Sequence, residues 1–189
     1  MPMKRSRENQ EKAPLGIVVA ASSADAMLDV LESLCLRERG EGVEQIEVGE
    51  ALLARLVLPL PGGGRVRLQG WLRAPDFDDV SALPFRGACA ACFVMEVEVA
   101  RLHEAHAALG DFAARAKALG HDLLDKPFLL QYHGVDRHPG FDAAACGRWL
   151  GLPEEAGLRA ESVAGVSFEA GLGLEQLMAR ISEPPAHDS

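Results

Sequence analysis

The first residues that could do chemistry in this 189-residue sequence form a turn after a short apolar run at residues 15–21. In many α/β proteins such a turn holds phosphate, and it then needs glycines for close backbone approach, a lysine for charge and a hydroxyl for magnesium. Here residues 19–26 read VAASSADA, with Ser22 and Ser23 but neither glycine nor lysine, and Asp25 would repel a polyphosphate. The turn therefore predicts a serine-capped helix start and no bound nucleotide or other cofactor.

A second polar group follows the apolar run at residues 127–132 and comprises His133, Asp136 and His138. Ligands of open α/β sheets bind beyond the carboxyl ends of the strands, so this loop lies where a ligand would bind. A His–Asp pair can perform acid–base chemistry, but the sequence places no Ser or Cys nucleophile beside it. Acid–base catalysis is one hypothesis for this loop, and a pocket around His133 and Asp136 that senses a small molecule is another.

Two further pairs have spacings that metal sites use. Cys89 and Cys92 form a Cys-x-x-Cys, but residues three apart on a strand point to opposite faces, and no second cysteine pair follows. His103 and His106 share one face of a predicted helix without a third ligand at suitable spacing. We therefore predict no metal site, with the cysteines reduced and buried and the histidines on a solvated helix face.

Composition and charge exclude several classes of partner. The net charge is −9, and a phosphate backbone favours clustered Lys and Arg, so nucleic acid is excluded as a main partner. No apolar stretch approaches the ~20 residues of a membrane-spanning helix, and the basic run at residues 3–7 lacks the apolar segment of a secretory signal. We expect a cytoplasmic protein with one domain at residues 14–182, between disordered tails at residues 1–13 and 183–189.

The elements that must position these residues alternate between strands and helices. Apolar runs and period-two patterns predict strands at residues 15–21, 52–60, 65–71, 89–97, 127–132 and 158–164. Helical spacing of apolar residues predicts helices at residues 24–37, 101–120, 142–150 and 172–181. The order predicts an α/β fold, a three-layer and mostly parallel sheet of about six strands with helices on both faces. The strand at 65–71 closes a glycine-rich hairpin and is predicted near a sheet edge, and residues 74–85 are predicted to form a loop with at most one helical turn.

The segment at residues 126–139, KPFLLQYHGVDRHP, resembles the guanine-reading strand and loop of bacterial Ras-like GTPases of the MglA type. In that family the strand ends in Gln-Tyr and runs into Asn-Lys-Arg-Asp-Leu-Pro. The sequence is also similar in the Arg-Gly pair at residues 86–87, in the helix that ends at residues 150–152, and in Gly-Leu-Gly at residues 171–173 before the last helix. The resemblance covers residues 86–181 and implies a Ras-like fold of the P-loop NTPase type.

Departures from the family's motifs decide which activity the resemblance implies. In the guanine-reading motif His133 and Gly134 replace Asn and Lys, and only Asp136 remains. In the switch that senses the γ-phosphate, Ala-Pro-Asp-Phe at residues 74–77 replaces Val-Pro-Gly-Gln, and the phosphate-binding loop is lost. Phosphoryl transfer depends on positioning and charge stabilisation, so the resemblance implies a pseudo-GTPase with no catalytic residue. Its vestigial nucleotide site comprises Ser22, Ser23, Asp25, His133 and Asp136.

The resemblance also implies a protein partner. MglA-type GTPases engage roadblock-type dimers through the switch loops and the neighbouring edge strand, so the chain is expected to act as a scaffold or decoy in bacterial polarity, motility or related signalling. The implied contact surface comprises Arg65, Arg67, Trp71, Pro75, Asp76 and Phe77. The alternatives are a residual GTPase with an unconventional phosphate site, in which Arg73 would supply the missing cation, and the small-molecule sensor described above.

Overall fold

A computed structural model of the chain describes residues 13–60, 63–76, 79–123, 126–152, 158–162, 176–177 and 181. The predicted tails lie outside these ranges except for Ala13, and so does Phe77 of the predicted contact surface. Of the helix predicted at residues 172–181, the described positions 176, 177 and 181 are helical. Among the described residues, no helix is long and apolar enough to cross a membrane.

One sheet organises the described part of the chain. Its strands are β1 (Leu15–Ala21), β2 (Glu44–Val48), β3 (Ala51–Pro59), β4 (Arg65–Arg73), β5 (Ala88–Glu96), β6 (Phe128–His133) and β7 (Leu158–Ser162). The order across the sheet is β2-β3-β4-β1-β5-β6-β7. The five strands from β4 to β7 in this order are parallel, and β3 and β2 extend the sheet through antiparallel pairs. The predicted mostly parallel α/β sheet is confirmed, with seven strands in place of about six.

β2 is the strand that the sequence pattern does not predict. It reads EQIEV, and its Glu44, Gln45 and Glu47 are exposed, so the apolar signal of a strand is weak. Two strands, β2 and β3, separate β4 from the antiparallel edge of the sheet, so β4 lies between β3 and β1. The prediction that β4 lies near an edge is therefore wrong. Its alternating arginines mark a partly solvated face of an inner strand and not a free edge.

Helices cover both faces of the sheet, as predicted for a three-layer fold. On one face, α1 (Ala24–Glu38) buries Met27, Leu31 and Leu34 against β1, β3, β4 and β5. On the other face, α2 (Leu102–Ala118) packs Phe112 against the second core cluster, to which the short α3 (Ala143–Trp149) contributes Cys146. The two hydrophobic clusters cover the central strands β1, β5 and β6 on both faces, which positions the carboxyl ends of these parallel strands side by side.

Residues 74–85 contain more helix than the sequence predicts. Asp79–Phe85 form a 3-10 helix of 7 residues, where two prolines and a run of aspartates predict a loop. Gln69 of β4 explains the difference, because its buried side-chain amide donates hydrogen bonds to the carbonyls of Leu83 at 3.0 Å and Pro84 at 3.1 Å. Phe85 ends the segment and is buried in the core. These long-range bonds fix a turn that local propensity alone does not favour.

Candidate functional site

The carboxyl ends of β1 and β5 bring Ser22, Ser23 and Glu96 together at the N-terminus of α1. Ser22 joins the turn to β5, because its N–H donates to the Val94 carbonyl at 2.9 Å and its hydroxyl oxygen accepts from the Glu96 N–H at 2.9 Å. The Ser23 hydroxyl donates to Glu96 Oε2 at 2.9 Å and its oxygen accepts from the Ala26 N–H at 3.2 Å. The Glu96 carboxylate therefore lies beside the first turn of α1, where a helix attracts negative charge.

Two arginines from distant segments approach the same carboxylate. Arg101 Nη1 lies 3.9 Å from Glu96 Oε2, and Arg137 Nη1 lies 3.8 Å from Glu96 Oε1. The turn at residues 19–26 itself contains no cation, so both guanidinium groups come from other segments of the fold. Neither guanidinium group is free to pair with another anion, however. Both already contact Glu96, and Arg101 also contacts Glu104 at 2.9 Å and Glu98 at 3.7 Å. The hydrogen bond to Glu104, and then its charge, raise the pKa of the Arg101 guanidinium.

The name Glu96 cluster is used here for Ser22, Ser23, Glu96, Arg101 and Arg137, and a small cavity lies beside them at the start of α2. The cavity between Ser22, Glu96 and the start of α2 has a volume of about 10 Å³. That volume is about the minimum for one water molecule. Arg101 contacts three carboxylates, those of Glu96, Glu98 and Glu104, and Arg137 contacts that of Glu96. The arrangement can cap a helix and bind a side-chain anion, but its carboxylates outnumber its guanidinium groups, so it offers a polyphosphate no net positive charge.

His133 is turned away from the loop in which the sequence places a ligand. The side chain is buried at the end of β6, and its Nε2 lies 3.4 Å from Asp29 Oδ2 on α1. The His133 carbonyl accepts from the Val97 N–H at 2.8 Å, which fixes the strand end as well. Asp136 is exposed in the following 3-10 turn. The cavities described below are lined by neither His133 nor Asp136.

The predicted contact residues on β4 bind other parts of the chain. Arg67 Nη2 donates to the Arg86 carbonyl at 3.0 Å, and Trp71 Nε1 donates to the Ser81 carbonyl at 3.2 Å. Arg65 is exposed at the start of β4, at the opposite end of the strand from Trp71. Arg65, Arg67 and Trp71 lie an even number of positions apart and so share one face of β4, on which Arg65 is exposed and the other two are half-buried.

Pro75 and Asp76, in the segment that replaces the family's switch, line a recess. This recess has a volume of about 410 Å³ and extends to Val48 and Glu50, where β2 ends and turns into β3. Arg73 lines it too, and its guanidinium donates to the Glu50 carbonyl. Arg73 is therefore directed towards the β2–β3 turn. It does not supply the cation that the alternative GTPase mechanism requires at the end of β1.

A cavity of about 260 Å³ opens where β1 and β4 separate. Pairing between these strands ends at Val18 and Gln69, whereas β1 continues to pair with β5 as far as Ala21. Side chains from β4, the 3-10 helix and α2 line the gap, mostly aromatic or apolar with one acid and one base: Trp71, Pro84, Phe85, Asp111, Phe112 and Arg115. The cavity is large enough for a small amphipathic molecule or for one side chain of a partner.

The cysteine and histidine pairs form no site in the described residues. Cys92 is fully buried, and burial raises the pKa of its thiol far above the ordinary value, while Cys89 lies on the opposite face of β5. His103 and His106 pack against Trp149 with ring centroids 5.4 and 5.0 Å apart. In the part of the chain that the structure describes, no group of three or more His, Cys, Asp or Glu side chains could hold a metal ion.

Comparison with known proteins adds no identification. No model of a known protein family matches the sequence, and no curated protein matches it either. Function is therefore inferred from three features of the molecule: the Glu96 cluster at the end of β1, the order of the strands, and the surfaces around β2 and the loop at residues 73–76.

Proposed function

We propose that the chain is a non-catalytic Ras-like module, a pseudo-GTPase that acts by binding another protein. The strand order supports a ligand position at the end of β1, because the chain passes from β1 to one side of the sheet at β4 and then to the other side at β5. Such a reversal is where open α/β sheets bind ligands. In this chain the position is filled by the protein's own side chains.

The Glu96 cluster is the single observation that carries the proposal. A triphosphate at the N-terminus of α1 would have to share that position with the Glu96 carboxylate. Two like charges about 4 Å apart repel by about 4 kcal/mol at an effective dielectric constant of about 20. That energy corresponds to roughly a thousandfold loss of affinity. Arg101 and Arg137 do not reverse the balance, because Arg101 contacts three carboxylates and Arg137 contacts Glu96 itself.

The position that would read a nucleotide base supports the same interpretation. A base-reading site needs polar side chains that face the loop after β6. His133, the last residue of β6, is buried and directed towards Asp29 on α1. Of residues 133–136, only Asp136 is exposed. Loss of base recognition and loss of phosphate recognition therefore have separate structural causes, as expected of a protein that does not depend on a nucleotide.

A Ras-like fold that binds no nucleotide can still act by binding another protein. The surface proposed for it keeps Arg65, Arg67 and Trp71 of β4 and joins to Pro75 and Asp76 the end of β2, around the 410 Å³ recess. A roadblock-type dimer in bacterial polarity, motility or related signalling remains the proposed partner, and the cytoplasm remains the proposed location. The chain would act there as a scaffold or decoy.

A small-molecule sensor is the second candidate function. The observation in its favour is the 260 Å³ cavity between β1 and β4, and not the predicted pocket around His133 and Asp136. Trp71 forms part of the wall, so a bound molecule would change its fluorescence. A screen of small aromatic compounds by tryptophan fluorescence tests this candidate separately from nucleotide binding.

Calorimetric titration of the purified full chain with GTP and GDP, with and without magnesium, tests the pseudo-GTPase proposal. We expect no saturable heat at millimolar nucleotide and no nucleotide released when the purified protein is denatured. Glu96→Ala should bind pyrophosphate at least tenfold more tightly than the wild type, because it leaves Arg101 and Arg137 without their shared acid. Glu98→Ala is the matched control and should change little. Magnesium-dependent binding of GTP by the wild type at micromolar concentration would contradict the proposal.

A further inference from the structure

β2 is the last strand on the antiparallel side of the sheet, and within the described ranges no strand lies beyond it. Its register with β3 runs without interruption from the Glu44–Arg55 pair to the Val48–Ala51 pair. An antiparallel strand turns half of its backbone N–H and C=O groups away from its neighbour. The outer side of β2 is therefore a regular row of donors and acceptors to which another strand can be added.

β2 lacks two devices with which proteins commonly block an exposed edge. It contains no proline, and its pairing with β3 has no bulge. Charge is the device that is present, since Glu44 and Glu47 are exposed on the strand and Glu41 and Glu50 are exposed beside it. Charge blocks the addition of an acidic or apolar strand, but it favours a basic one.

A recess lies at each end of β2, and the two recesses have the same charge pattern. Each is lined by two carboxylates and one guanidinium group, so each carries a net negative charge. The recess before β2 has a volume of about 270 Å³ and the recess after it about 410 Å³. The charged residues are Glu41, Glu44 and Arg55 in the first recess and Glu50, Arg73 and Asp76 in the second.

We propose that β2 accepts an extended, basic segment of a partner protein as an eighth strand. The inference rests on the proposed function as a protein-binding module and names the chemistry of the partner. Backbone hydrogen bonds along β2 would supply affinity, and Lys or Arg side chains in the two recesses would supply specificity. Since β2 spans four steps of roughly 3.4 Å, the basic residues of the partner lie about four to six positions apart.

A second copy of this chain is the less suitable occupant of the edge. Two β2 strands side by side would bring the Glu44 and Glu47 carboxylates of one copy close to those of the other. Like charges on neighbouring strands are destabilising, and no basic side chain of β2 itself offsets them. A basic strand from another protein meets no such repulsion, so the proposal commits to that occupant.

Fluorescence anisotropy with the full chain and labelled ten-residue peptides tests strand addition directly. The first peptide alternates Val and Thr with a Lys near each end, the second has Glu in place of each Lys, and the third has the two lysines and two central prolines. We expect the Lys peptide to bind, the Glu peptide to bind at least tenfold more weakly, and the Pro peptide not to bind. Equal binding of the first two peptides would overturn the role of charge, and binding of the third would overturn strand addition.

Matched variants locate the peptide on the molecule. Glu47→Lys on β2 should weaken binding of the Lys peptide roughly fivefold, whereas Glu32→Lys on the exposed face of α1 should not change it, although both variants alter the net charge equally. Reversing the charge of Lys4, Arg5 and Arg7 together tests the chain's own basic segment as occupant. If that variant binds the peptide more tightly, the chain's own basic segment occupies the edge, and the proposal of a partner protein is overturned. A dimer in sedimentation whose formation changes with Glu47→Lys would overturn it as well.

The nucleotide titration separates this inference from the proposed function. A chain that binds neither GTP nor the Lys peptide keeps the pseudo-GTPase proposal and overturns the edge proposal. A chain that binds GTP and also binds the Lys peptide through Glu47 overturns the pseudo-GTPase proposal and supports the edge proposal.

Discussion

Replacing Glu96 by glutamine tests the Glu96 cluster with the least change in shape. The glutamine side-chain oxygen can still accept a hydrogen bond from the Ser23 hydroxyl, which lies 2.9 Å from Glu96 Oε2. What the substitution removes is the negative charge beside the N-terminus of α1 and the attraction to Arg101 and Arg137. Stability should therefore fall because of lost charge, and not because a cavity or an unsatisfied group is created.

The expected cost follows from the contacts. A hydrogen bond to a charged acceptor is worth about 1 kcal/mol more than one to a neutral acceptor. Loss of the charge at the helix N-terminus costs a further ~0.3–1 kcal/mol. The two ion pairs are long and their arginines are 46% and 57% exposed, so solvent screening reduces their contribution to a few tenths of a kcal/mol. The sum is about 1.5–2.5 kcal/mol, which lowers Tm by roughly 4–8 °C in a domain of this size.

Urea denaturation followed by circular dichroism measures this cost. Glu98→Gln is the control, because Glu98 is 45% exposed and makes one 3.7 Å contact with Arg101, so its cost should stay below about 0.5 kcal/mol. A double-mutant cycle between Glu96→Gln and Ser23→Ala should give a coupling of about 1 kcal/mol, since Ser23→Ala alone also removes the cap of α1. Equal effects at Glu96 and Glu98, or a coupling near zero, would refute the interpretation of the cluster.

Two further predictions concern stability elsewhere in the fold. Burial, and then the charge of Lys126, whose Nζ lies 2.6 Å from His121 Nδ1, lower the pKa of His121. The unfolded chain therefore binds more protons than the folded chain below about pH 6.5, and stability should fall as the pH drops from there. The urea midpoint of His121→Asn should change less between pH 7 and pH 5.5 than that of the wild type, and an identical change would contradict this. Gly70→Ala should destabilise by about 2–3 kcal/mol, because the new methyl group would collide with the Val19 carbonyl oxygen. Gly110→Ala on α2 has open space around it and should stabilise by about 0.5–1 kcal/mol, and thermal melts of both variants decide the comparison.

The sequence predicts best those elements whose burial is nearly complete. β1 begins and ends at the predicted residues, and the predicted buried strands at residues 89–97 and 127–132 correspond to β5 and β6 within one residue at each end. Strands covered on both faces are continuous apolar runs, so their pattern depends little on their neighbours. β2 was missed for the opposite reason, because three of its five residues are exposed and polar. Without β2, the position of β4 in the sheet could not be predicted correctly.

The candidate site depends on contacts between residues that are far apart in the sequence. Ser22 and Ser23 were predicted from their turn, and Ser23 caps α1 as predicted. Their partner Glu96 is 73 residues from Ser23, and nothing local to either residue indicates the pair. One signal was available, since Glu96 is the polar residue at the carboxyl end of a strand predicted to be central, where side chains meet the ligand position. Arg137 carries no comparable signal in the sequence.

An experimental structure of the wild-type chain with a non-hydrolysable GTP analogue and magnesium at millimolar concentration tests the central claim most directly. We expect the Glu96 carboxylate to remain within hydrogen-bonding distance of the Ser23 hydroxyl and the end of β1 to contain no nucleotide. Phosphates bound against residues 19–26, with Glu96 displaced and Arg101 turned towards the ligand, would contradict it.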